Sequence, residues 1–382
     1  MIEMMWRATL VLAGLVYVAT VVGAVLTPPG GPAGGPAAEP SPPVQALRPA
    51  PHRPVVGFAI SFHHTDDLPS FLKVVDELAA LGVNSVQVVT PAFQKDGASQ
   101  DIEVVPGESA RRADLIKLLQ YAKAKGMTTA LMPIVLFSEP RGNEWRGKIN
   151  PQDWDVWWAS YRRMQDYFLD IANKAHVDDY AVGSELLSTE KETRRWVSLI
   201  THVRRHFHGR LYYSTNWDHY QVPTFWKYLD MIGISCYWDM TTYADTDPPS
   251  ARALAQRWAE IRKDVLEFAA QEDRPVVFTE LGYPSLPWGL KDPWNYVDTK
   301  GVKSAPEVQL LGYQAFLDAW GDLLMRRATA AGRADGFAGV YFYSWQPWDK
   351  GGPGDIGYGI KGKPASRLLA NWLKKWRVAM GR

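Results

Sequence analysis

Eight short apolar runs separated by amphipathic stretches predict an α/β domain, a (β/α)8 TIM barrel with enlarged βα loops, over residues 54–382. Three observations carry this. The apolar runs are nearly continuous, as in parallel strands buried on both faces. A helical stripe, a Gly just past its end and then an apolar run recur along the chain. The runs number eight, which closes a barrel instead of leaving an open sheet.

Two segments precede the domain. Ala8–Leu26 is almost wholly apolar and follows Arg7. Its length approaches the ~20 residues of a spanning helix and exceeds the ~7–15 of a signal-peptide core. Residues 1–26 therefore read as an N-terminal membrane anchor, with a cleaved signal peptide as the alternative. The next basic residue is Arg48, so the charge bias keeps the N-terminus cytoplasmic and sends the rest outside: membrane-anchored if the segment stays, secreted or periplasmic if it is cleaved. Residues 27–53 are rich in Pro, Gly and Ala and read as a linker, partly polyproline II.

The barrel elements follow in order. Strands are expected near 55–62, 84–90, 128–136, 179–184, 211–216, 231–237, 275–279 and 338–345, with helices between them. Phe71, Leu72, Val75, Leu78 and Ala79 form the first helical stripe, ended by Gly82; Leu115, Leu118, Leu119 and Ala122 form the second, ended by Gly126. Trp196, Ile200 and Val203 precede Gly209 and the fifth strand, and a last helix covers about Ala365–Met380. The domain is longer than the ~250 residues typical of such barrels. The loops after strands three, six and seven look longest.

Composition narrows the function classes. The net charge of +1 gives no electrostatic basis for a nucleic-acid partner. The one Cys, Cys236, lies in an apolar run and excludes an intramolecular disulfide. The 17 Trp residues serve a core, and a sugar cleft also uses flat aromatic faces. Trp154, Trp157, Trp158, Trp258, Trp320, Trp372 and Trp376 sit at helical spacing and read as core; Trp288 to Trp294 reads as a loop able to supply further sugar subsites. His63, His64, Asp66 and Asp67 follow strand one, but neighbours on a strand face opposite ways. A metal is not expected there, nor a cofactor elsewhere; His63 is a candidate sugar contact.

Glu185 and Glu280 carry the chemistry. Each ends a strand, where Glu is depleted, and strand ends at the C-terminal side of such a barrel build its active site. Two carboxylates in one cleft do not ionise together easily, so one pKa rises. One acid and one carboxylate are what glycosidic-bond cleavage requires. For either Glu alone, membership of a buried ion pair is the plainer reading.

Several segments make the resemblance specific: Trp145-Arg146-Gly147, Val182-Gly183-Ser184-Glu185-Leu186, Tyr213-Ser214-Thr215-Asn216-Trp217, Phe225-Trp226, Phe278-Thr279-Glu280-Leu281-Gly282-Tyr283 and Tyr343-Ser344-Trp345. The chain resembles clan A glycoside hydrolases and, within them, family 113, the β-mannanase-like barrels. The resemblance implies a retaining hydrolase of a β-linked oligo- or polysaccharide, without metal, with Glu185 as acid/base and Glu280 as nucleophile. It implies a platform under the sugar at Trp345, a phenol orienting the nucleophile at Tyr237, and cleft-lining roles for Asn216 and Trp217. Trp145 and Arg146 either bind sugar hydroxyls or pin their loop; Tyr283 is wall or structure. Two positions depart from the pattern. Ser184 stands where the clan often has an Asn that binds the sugar 2-hydroxyl, and Met132-Pro133-Ile134 replaces a Lys and His at the end of strand three. Transglycosylation of an envelope polysaccharide and non-catalytic sugar binding remain the alternatives.

Overall fold

The computed structural model describes residues 54–63, 67–241, 249–295, 299–326, 336–349, 351–352 and 354–381. The anchor and linker segments, His64 and Asp66 lie outside the described residues. Among the described residues no helix is long and apolar enough to cross a membrane.

The barrel strands are β1 (Val55–Ser61), β2 (Ser85–Gln94), β3 (Thr128–Phe137), β4 (Asp179–Ser184), β5 (Arg210–Asn216), β6 (Met231–Cys236), β7 (Val276–Leu281) and β8 (Phe337–Phe342). Each pairs in parallel with the next, and β1 pairs with both β2 and β8, which closes the sheet. A two-residue strand, Ile102–Glu103, adds antiparallel to the end of β2. The helices are α1 (Leu68–Leu81), α2 (Arg112–Ala124), α3 (Trp154–Ala175), α4 (Thr193–His206), α5 (Ala251–Glu272), α6 (Pro306–Leu324) and α7 (Pro364–Ala379).

Two expectations need correction. Between β5 and β6 there is no α-helix, only a 3-10 turn at Trp226–Tyr228. The segment is too short for a helix, and Trp226 fills the helix layer itself, fully buried, its indole N–H on the Tyr220 carbonyl at 3.0 Å. The loop after β8, residues 343–363, and that after β2, residues 95–111, are as enlarged as those named from sequence; apolar residues within them masked their irregularity.

Side chains divide into two cores. The outer one, between sheet and helices, contains Phe58, Leu131, Tyr213, Phe278 and Phe342 with Trp157, Trp196, Trp258, Trp320 and Trp376. The inner one fills the barrel with Ala59, Val89, Met132, Ala181, Tyr212, Val277 and Tyr341. Above it lies a polar layer: Gln87 bonds the Thr279 carbonyl and the Tyr212 hydroxyl at 2.9 and 2.7 Å, and the Ser214 and Thr279 hydroxyls meet at 2.6 Å. The interior is therefore a packed floor, and substrate has access only from the mouth.

The opposite end is held by buried charge. Asp230, just before β6, accepts from the Arg204 guanidinium at 2.5 Å and from the Leu211 amide at 2.7 Å, tying the end of α4 to the start of β5. Both side chains are almost fully buried. Asp230→Ala leaves that cation buried and uncompensated, so we expect a stability loss of about 3–5 kcal/mol, read by denaturant unfolding; a loss below about 1 kcal/mol would show that water replaces the carboxylate without cost.

Candidate active site

Both glutamates sit where the sheet departs from regular alternation. Along β4 the register with β5 shifts between Ala181 and Ser184. Along β7 it shifts against β6 at Ser235 and against β8 between Phe278 and Leu281. Phe278 and Leu281 both belong to the outer core, so two residues, Thr279 and Glu280, turn inward between them. A bulge of this kind re-aims a side chain. Glu185 follows the β4 irregularity with a left-handed backbone, φ 53°, and its amide donates to the Ser214 carbonyl at 2.7 Å.

The two carboxylates are close enough for each to sense the other's charge. Glu280 is pushed up to about 7, first by its poor solvation and next by the Glu185 charge; the Tyr237 hydrogen bond and Arg146 oppose this. The Tyr237 hydroxyl donates to Glu280 Oε2 at 2.7 Å. Arg146 Nη2 donates to Glu185 Oε2 at 2.5 Å and its Nε to the Ser184 carbonyl at 3.1 Å. Arg146 opens a 3-10 turn, Arg146–Lys148. The Trp145 ring folds over Gly147, where a Cβ would stand 2.5 Å from it. Trp145 thus pins the turn that aims Arg146.

Four other expected residues lie near the C-terminal ends of the strands. Asn216 continues the inward face of β5 beyond Tyr212 and Ser214, which points it at the mouth. Trp217 stands beside it, half-buried, its ring 6.2 Å from that of Trp238. His63 is partly buried just past the end of β1. Ser184 is buried, and its hydroxyl has no hydrogen-bond partner among the described residues.

Two residues do not face the mouth. Trp345 is buried in the outer core, edge-on to Phe58 at 5.5 Å, with its indole N–H on Glu77 of α1 at 2.8 Å. Lys361 bonds the same carboxylate. The aromatic platform expected at Trp345 is therefore misplaced. Tyr283 is also turned outward, edge-on to Tyr313 of α6, and its ring fills the space a side chain at Gly312 would need. It is structural.

The aromatic near Glu280 is Tyr343, which sequence reading passed over. It packs against the inner core, and burial and the Glu280 charge both raise its phenol. Tyr358 stands between Tyr343 and Tyr237, with ring centroids at 5.5 and 6.0 Å. The signal was present in period two: Tyr341 faces in and Phe342 out, so Tyr343 faces in. Asp218, also passed over, is exposed; partial desolvation and, to a lesser degree, the Glu185 charge raise its carboxyl. Among the described residues no group of His, Cys, Asp and Glu side chains stands ready to hold a metal ion.

The arrangement offers two adjacent carboxyls, one phenol and one guanidinium at the C-terminal end of the barrel, above a packed floor. Comparison with curated proteins finds no match. Solved structures do match the fold. A family 113 β-1,4-mannanase superposes with a TM-score of 0.70 at 24% identity, covering 84% of this chain and 99% of that one. The family 113 β-mannanase AaManA of Alicyclobacillus acidocaldarius, solved in complex with ManMIm, gives 0.70 at 22%, covering 85% and 98%. A family 5 mannosidase of Rhizomucor miehei gives 0.61 at 12%, covering 86% and 94%. The model of Glycoside Hydrolase Family 113 matches residues 69–327, well over half of the sequence: the chain belongs to that family and is a glycoside hydrolase.

Proposed function

We propose that the chain cleaves a β-1,4-linked, mannan-type polysaccharide with retention, by double displacement through Glu280 and Glu185. The single observation that carries the reading is the carboxyl pair itself: two strand-end glutamates in mutual electrostatic contact, with Tyr237 holding one oxygen of Glu280. The mannanases that share the fold support the substrate class.

In the first step a Glu280 oxygen attacks the anomeric carbon while the glycosidic C–O bond breaks and Glu185 gives its proton to the leaving oxygen. In the second, water attacks the same carbon, Glu185 takes its proton, and the bond to Glu280 breaks. Tyr237 fixes the attacking carboxylate. Arg146, which reaches Glu185 and lowers Glu280, limits the charge accumulating between them. Ser184 brings an unpaired hydroxyl in place of the amide common at this position. Tyr343, not Trp345, supplies the aromatic surface beside the nucleophile. We further propose that residues 8–26 anchor the domain outside the cytoplasm, on the strength of their apolar length after Arg7.

Glu280→Ala should abolish cleavage of β-1,4-mannan, a loss of at least about 10⁴-fold in kcat. Proton NMR of the first-formed product should show the β-anomer. An α-anomer, or full activity in the variant, would overturn the mechanism; activity on another β-glycan with none on mannan would overturn the substrate class.

The reaction needs one proton on the pair. The two carboxyls titrate as a coupled pair, and as pH rises through about 7 the pair gives up its last proton, leaving none for the leaving oxygen. The expected profile of kcat/KM therefore falls on the alkaline side with an apparent pKa near 7 belonging to the pair. A profile flat to pH 9 would contradict it.

The same shift makes the site costly to fold. The unfolded chain releases this proton near 4.5 and the folded chain near 7. Stability attributable to Glu280 thus declines as pH rises from about 4.5 to about 7, and above 7 the full cost is present, on the order of 3 kcal/mol. Glu280→Gln should melt with the wild type below pH 4.5 and above it at pH 8; coincident melting at pH 8 would refute the linkage.

A further inference from the structure

A buried carboxylate lies directly behind Glu185, on the side away from the mouth. Glu190, at the end of the 3-10 turn Leu187–Thr189, is fully buried. Its Oε1 accepts from the Tyr213 hydroxyl at 2.9 Å and the Thr215 hydroxyl at 2.8 Å. Its Oε2 lies 3.1 Å from His219 Nδ1. Tyr213 also accepts from the Leu186 amide at 2.9 Å, the peptide group that immediately follows Glu185.

These bonds have a fixed direction. The Leu186 N–H can only donate, so the phenol oxygen accepts it and turns its own single proton to Glu190 Oε1. The Tyr213 ring cannot drift from this position. Trp196 and Phe225 stand 5.0 and 5.4 Å away. Gly183, on the strand that leads to Glu185, has no room for a Cβ between Tyr213 and Trp196. The other side of the turn is held by the Thr189 hydroxyl on the Leu186 carbonyl at 2.7 Å, and Trp196 in turn bonds the Thr189 carbonyl at 3.0 Å.

The residue so enclosed has the left-handed backbone noted above, one that a Glu seldom adopts unless its surroundings impose it. Hydrogen bonds fix the peptide groups on both sides of it: the Glu185 amide on Ser214 and the Leu186 amide on Tyr213.

We propose that Glu190 is a positioning residue, acting through Tyr213 to hold Glu185 where it protonates the leaving group, with His219 and Thr215 keeping the Glu190 carboxylate in place. The proposal rests on the reading of Glu185 as acid/base. It reaches no substrate atom and transfers no proton; it sets the orientation of a group that does.

A merely structural role would lower activity on every substrate alike. A positioning role for the acid depends on how much the leaving group needs a proton. The test compares kcat/KM, which reports the first displacement, on a β-1,4-mannooligosaccharide and on 2,4-dinitrophenyl β-mannoside, whose phenolate leaves without protonation. Glu190→Leu removes the acceptor that holds the Tyr213 hydroxyl; Tyr213→Phe removes the hydroxyl. Both should lose about 10- to 100-fold on the oligosaccharide and less than about 3-fold on the aryl glycoside, a part of the ~10²–10⁴-fold that general acid catalysis contributes. Thr215→Val, which keeps the side-chain shape and removes one bond to Glu190, should show the same split in weaker form. It provides the reading if the other two do not fold.

Glu185→Ala is the control. A split there with equal losses on both substrates in the Glu190, Tyr213 and Thr215 variants would overturn the relay and leave the acid/base assignment standing. No split in Glu185→Ala would overturn that assignment and this proposal with it.

Discussion

The structure is organised around one constraint: two carboxylates share a poorly solvated barrel mouth, where the charge of one opposes the ionisation of the other. Each would ionise freely in water. Here the first to ionise raises the second, and thin solvation raises it further. What touches the pair answers that cost. Tyr237 stabilises a charge on Glu280, Arg146 one on Glu185, and neither donor is free to leave, since Tyr237 is packed on Tyr358 and Arg146 is carried by a turn that Trp145 covers. The floor beneath them is sealed by Gln87, Ser214, Thr279 and Tyr212. That is the environment in which a carboxyl keeps a proton near neutral pH, and it costs stability, as sites of this kind commonly do.

Placing the pair requires the sheet to break its own rule. A regular strand of period two cannot present Thr279 and Glu280 on one side with Phe278 and Leu281 on the other. The bulge solves this by adding a residue on β7 without moving the strand out of the barrel. On β4 the irregularity after Ala181 and the left-handed Glu185 do the equivalent. Neither device is stable by local preference. Each is imposed by packing from behind, and for Glu185 by a network of buried hydrogen bonds.

Much of this was legible in the sequence, and the failures have physical causes. All eight strands were found because parallel barrel strands are buried on both faces and read as uninterrupted apolar runs. The two glutamates stood out because Glu is depleted in strands and both end strands of one barrel. What failed was orientation. The platform was placed at Trp345 by the resemblance alone; period two through Tyr341 and Phe342 favours Tyr343. Tyr283 lies beyond the β7 bulge, which turns the residues after it toward α6, and no pattern of composition reveals a bulge. The missing helix between β5 and β6 escaped because Phe225 and Trp226 make an apolar run like that of a helix face.

The misplaced tryptophan also explains how the mouth is kept in shape. Trp345 and Lys361, both in the long β8–α7 loop, converge on Glu77 of α1, the helix after the first strand. The loop that carries Tyr343 to Glu280 is thereby fastened to the opposite side of the barrel seam, where β1 meets β8. Gln346 adds a second fastening, accepting from the Ser61 amide at the end of β1 at 3.2 Å while its own amide donates to Asp349 at 2.7 Å. A barrel closes by hydrogen bonds between its first and last strands, yet its mouth is made of loops that those bonds do not reach. Here the closure is carried upward by an indole, an ammonium and an amide. Trp345 thereby holds in place the tyrosine that stands beside Glu280.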